Sequence, residues 1–66
     1  MNPSDWEELA DLTTRIDELH SQLDAAEAAS QIAAIYALEE AITEAEATRE
    51  QLLSRLVDRL ADQAAT

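Results

Sequence analysis

The chain has no glycine, no cysteine, no lysine and no phenylalanine, and its one proline stands at position 3. Each absence excludes something. With no glycine, and no proline beyond Pro3, nothing between Ser4 and Thr66 carries a strong signal to stop a helix, and the residues that build tight turns are nearly missing. With no cysteine there is no disulfide framework and no thiolate site. Four arginines against 15 acidic residues leave no basic face for phosphate contacts, which disfavours direct nucleic-acid binding and attachment to anionic membranes alike. No apolar run approaches the roughly 18 residues of a membrane span, and the N-terminus lacks the basic segment and apolar stretch of a signal peptide, so a cytoplasmic location is expected.

Catalysis is as poorly equipped. There is one histidine, no cysteine and no glycine-rich loop to approach a phosphate. Two short helices also leave no room for a pocket of about 300 Å3 or more. No catalytic residue, cofactor or metal site is therefore expected, and the chain reads as a non-enzyme. His20 has Asp17 three residues before it and Asp24 four after, a spacing that also occurs in helical di-metal sites. One such group falls short of the several inward carboxylates those sites need, because Leu19 and Leu23 take the inward positions here.

What is present is helix-forming. Alanine, leucine, glutamate, glutamine and arginine lose little side-chain freedom in a helix, and they dominate the 66 residues. The fold class is all-α. Of the 47% counted as hydrophobic, nearly half is alanine, which leaves nine leucines, four isoleucines, Val57, Trp6, Tyr36 and Met1 as the larger apolar groups. At about 25 cal/mol per Å2, such a set roughly cancels the entropy of ordering the chain. Self-association, as a homodimer, or a protein partner is expected to supply the rest.

The pattern along the chain predicts one small module over 1–66: a helix over about 4–29, a second over about 31–62, and a frayed C-terminus from Ala61. Two starts are available to the first helix: Asn2 with Pro3 at the first helical position, or a capping box of Ser4 and Glu7. Leu9, Leu12, Ile16, Leu19 and Leu23 step by three and four, and Ile35, Leu38, Ile42, Ala45, Leu52 and Leu56 resume that rhythm with Arg49 in the missing place. The two stripes differ in phase by two residues, a slip that no single three- or four-residue insertion explains. A reversal of direction between Asp24 and Gln31, with Ser30 or Asp24 capping the second helix, would produce it. The resulting hairpin would associate into a four-helix bundle or coiled coil. The alternative is one continuous helix of about 60 residues, roughly 90 Å long, in a coiled-coil dimer. In size and form the hairpin looks like the small helical-hairpin co-chaperones of secretion systems and like Rop-type hairpin dimers, a likeness of architecture with no shared motif.

Two apolar groups exceed what one seam needs. Leu52, Leu53, Leu56, Val57 and Leu60 cover a wide face in the last, charge-neutral quarter of the chain, with Leu53 and Val57 off the main stripe. Ile32, Ile35 and Tyr36 form a second patch, in which a tyrosine brings area and a polar tip. The expected partner-binding residues are Leu53, Val57, Leu60, Ile32 and Tyr36. The expected self-association core is Leu9, Leu12, Ile16, Leu19, Leu23, Ile35, Leu38, Ile42, Leu52 and Leu56. Trp6 is expected to cover the end of the bundle, and Asp11–Arg15 and Arg55–Asp58 are spaced for surface ion pairs. These features predict a non-enzymatic interaction module: an acidic helical adaptor, co-chaperone or assembly factor that binds itself and another protein. Two alternatives are a nucleic-acid mimic, with Glu39, Glu40, Glu44, Glu46 and Glu27 imitating a phosphate backbone, and a structural subunit of a larger complex.

Overall fold

The structure, a computed structural model, describes residues 3–65. Two helices, α1 (Pro3–Ala28) and α2 (Ile32–Ala65), fold back on each other as an antiparallel hairpin measuring 54 × 16 × 12 Å. The continuous 90 Å helix is thereby set aside. Among the described residues there is no strand, and the only irregular backbone lies at 29–31.

Helix α1 begins with Pro3 as its first residue, where a missing N–H costs no intrahelical bond and the fixed φ is already helical. Ser4 is thus inside the helix, and Asn2 lies outside the described residues. Asp5, in the first turn, suits the positive end of the helix dipole.

The end of α1 has a specific geometry. Ser30 sits in the left-handed region, at φ 55°. Its N–H donates to the Glu27 carbonyl at 3.1 Å, and the next N–H, of Gln31, reaches back to the Ala26 carbonyl at 3.0 Å. This pair of bonds is a Schellman motif, which satisfies carbonyls that the end of a helix would otherwise leave open. The residue at its left-handed position is usually glycine, and here it is serine. The Gln31 carbonyl then accepts the first bond of α2, from the Ile35 N–H at 2.9 Å. The cap of α2 is therefore Gln31, and the expectation that Ser30 or Asp24 would cap it is corrected: Ser30 closes the first helix, and Asp24 lies a full turn inside it.

The seam between the helices holds Ile16, Leu19, Ile42 and Ala45 as one buried cluster, with Leu12, Leu23, Leu38 and Ala41 packed around it. Ala26, Leu52 and Leu56 complete the buried set. Alanine at three of these places lets the two backbones approach closely. The seam ends in a polar contact: Asp5 of α1 accepts from the Arg59 guanidinium of α2, across 54 residues of sequence. The last residues of α2, from Ala61 to Ala65, are helical and all exposed, and Thr66 lies outside the described residues.

Candidate interaction surface

Every residue expected in the self-association core lies on the seam side of its helix, within one chain. Ile16, Leu19, Ile42, Leu52 and Leu56 are buried, and Leu9, Leu12, Leu23, Ile35 and Leu38 are half-buried. Their contacts with each other are consumed by the hairpin, which leaves a different set available to a second molecule. Ala26, Ala41 and Ala45 belong to this seam too. Of these, Ala26 stands three residues past Leu23 on the rhythm of the first stripe and Ala45 stands in the second, whereas Ala41 lies off both.

The exposed set consists of six large apolar side chains: Trp6, Ile32, Tyr36, Leu53, Val57 and Leu60. Tyr36, Ile32 and Val57 are the most open, at 68%, 61% and 60%. Helical geometry arranges the five on α2. Counted in heptads from the seam positions 35, 38, 42, 45, 49, 52 and 56, residues 32, 53 and 60 share the column immediately after the core, and 36 and 57 share the next one outward. That face lies about 100° round the helix from the seam. It runs from Ile32 to Leu60, about 42 Å at 1.5 Å per residue. Trp6 falls in the corresponding column of α1, near the Leu60 end. Glu39, Thr43, Glu46 and Glu50 fill the middle of the same two columns on α2, so the face is apolar at both ends and polar between.

Charge sharpens this division. No charged residue occurs from 28 to 38, and residues 49–66 hold Arg49, Arg55 and Arg59 against Glu50, Asp58 and Asp62. Both apolar ends therefore lie in neutral stretches of a chain whose net charge is -11. In the middle, Arg49 occupies the gap in the seam and is 33% exposed, with its guanidinium 3.9 Å from the Glu46 carboxylate. This pair and Asp5–Arg59 take the places of the anticipated Asp11–Arg15 and Arg55–Asp58 bridges, which do not form among the described residues. Glu39, Glu40, Glu44 and Glu46 spread over three heptad positions rather than forming a row, and Glu46 is half-buried. On the exposed turns of both helices, Thr13, Thr43 and Thr48 turn their hydroxyls back to the carbonyls four residues earlier, at 2.9–3.0 Å.

Asp17, His20 and Asp24 are all exposed, and among the described residues no group of three or more histidines and acids is placed to hold a metal ion. A depression lined by Ala47, Glu50, Gln51, Ser54 and Arg55 is an open stretch of a single helix. No described helix is long and apolar enough to cross a membrane. Comparison of the chain with protein-family models, with characterised proteins and with solved structures returns no match.

Proposed function

We propose that the chain is a non-enzymatic protein–protein interaction module: an acidic helical hairpin that self-associates and serves a larger protein as adaptor, co-chaperone or assembly factor. The observation that carries this reading is the second apolar face of α2. A hairpin that has already buried its seam still exposes Ile32, Tyr36, Leu53, Val57 and Leu60 together along one side. Scattered apolar residues on a surface need no explanation, but aligned ones do. Aromatic and branched side chains at one face, with few charges among them at either end, have the composition of an interface core. The scatter of the glutamates favours this reading over nucleic-acid mimicry, which needs carboxylates in rows.

Photo-cross-linking in cells tests it. A photoreactive residue at position 57, on the apolar face, is expected to give discrete protein adducts, whereas one at position 44, on the opposite flank, gives none. Adducts from position 44 alone, lost as salt is raised, would support the mimic instead. No adduct from position 57 would remove the interaction module.

A further inference from the structure

An interaction module needs an occupant for its exposed face on α2. Resting on that reading of the face, we infer that a second copy of this chain packs there antiparallel, about a two-fold axis at Glu46. Ile32 of each chain then meets Leu60 of the other, and Tyr36 meets Val57. The product is a four-helix bundle with α2 of each hairpin at the centre of the contact.

Three observations support a second copy. The first is symmetry. A two-fold contact must be complementary to itself, so that if one position meets another, the reverse also holds. In the inner column, 32 and 60 are each 14 residues from 46 and pair two apolar side chains, while 39 and 53, each seven away, set Glu39 against Leu53. In the outer column, 36 and 57 lie ten before and 11 after. An antiparallel copy centred at 46 therefore lays each apolar end on the opposite apolar end of its mate, twice over.

The second is area. A monomeric globular protein of 7.3 kDa exposes about 4,200 Å2 by the usual size scaling. This hairpin exposes 4771 Å2, an excess of about 600 Å2. A standard interface buries about 800 Å2 on each partner. Among the described residues only seven are buried in the single hairpin, a small core for a chain of this length, and chains of this size commonly need association to be stable. The third is direction. The face stands about 100° from the seam, near the angle at which a helix in a four-helix bundle meets its second neighbour.

Glu46 lies on the axis and meets Glu46 of the second copy, and the Arg49 guanidinium, 3.9 Å from the Glu46 carboxylate within each chain, offsets part of that repulsion. Glu50 of each chain falls near Thr43 of the other, and Glu39 beside Leu53. The remaining charge of the two chains repels, so the dimer is expected to tighten as salt is raised. Docking on a basic partner would weaken.

Light scattering of the purified chain over a dilution series is expected to give twice the 7.3 kDa chain mass at the upper end. Because the chain has no cysteine, single ones report the register directly. On mild oxidation, Glu46→Cys should link to itself. Ile32→Cys and Leu60→Cys should each fail to self-link, yet link to one another when mixed. Val57→Glu and Tyr36→Glu should weaken the dimer at least about 100-fold, because the axis places each change in the interface twice. Both sites are exposed, so helical circular dichroism should persist at high concentration. A monomer mass throughout, self-linking of Ile32→Cys or Leu60→Cys, or a dimer indifferent to both glutamates would overturn the inference. A monomer that still yields adducts to another protein from position 57 in cells would end the second-copy reading alone. A monomer without adducts would end both.

Discussion

Replacing Ser30 by glycine tests how the hairpin turns, and its sign decides between two geometries. In the structure Ser30 holds φ 55° as the left-handed residue that closes α1. A residue with a Cβ in that region costs roughly 1–2 kcal/mol, which glycine avoids. Glycine in turn loses about 0.4–1 kcal/mol through the greater freedom it gives the unfolded chain. The net expectation for Ser30→Gly is a stabilisation of about 0.5–1 kcal/mol, or roughly 2–8 °C in Tm for a domain of this size. If Ser30 instead capped α2, the same change would remove a side-chain acceptor and cost a few tenths of a kcal/mol, and Ser30→Ala about 1 kcal/mol. Thermal unfolding followed at 222 nm is the assay. It should be run at one fixed chain concentration for every variant, because association makes Tm depend on concentration. A glycine variant that melts below the parent would refute the left-handed closure and with it the account of where the chain reverses.

Two neighbouring leucines should behave differently. Leu52 is 1% exposed, so Leu52→Ala is expected to cost about 2–5 kcal/mol and to abolish cooperative melting, whereas Leu53→Ala on the open face should cost under about 1 kcal/mol in the isolated hairpin. Equal effects on circular dichroism melts would contradict the assignment of seam and face. Arg49→Leu fills the one seam position that lacks an apolar side chain and gives up only a partly exposed ion pair with Glu46. It should raise the denaturant midpoint by the equivalent of about 1 kcal/mol, and a fall would show that the guanidinium is needed where it lies.

Much of this molecule was legible in the residues. The absence of glycine and of any interior proline left the chain almost nothing to be but helix, and steps of three and four picked out Ile16, Leu19, Ile42, Leu52 and Leu56, which the structure buries. The phase slip was informative as well. In one straight helix, two residues of slip rotate the second stripe by about 200°, so the two apolar stripes would face opposite sides, and a reversal brings them together. The five residues exposed along α2 were visible as surplus, because they fell off the seam columns.

The residues bounded the reversal to the stretch from Asp24 to Gln31 but did not determine its conformation. Ala25, Ala26, Ala28, Ala29, Ala33 and Ala34 all prefer to continue a helix, and no local signal marks Ser30 for the left-handed region or Gln31 as the cap of α2. Those positions follow from packing. The stripe that ends near Leu23 and the stripe that begins at Ile35 must face each other, and the few residues between them take the one closed turn that permits it, at a local cost the buried seam outweighs. The same packing brought Ala41, which lies off both stripes, against the core. Ala26 and Ala45 are buried because the helices approach closely there, while Ala25 and Ala47, one and two positions away, face solvent with the same side chain. Propensity is a property of single residues and is read along the chain, whereas the conformation of a turn and the inside of a helix depend on which two surfaces meet.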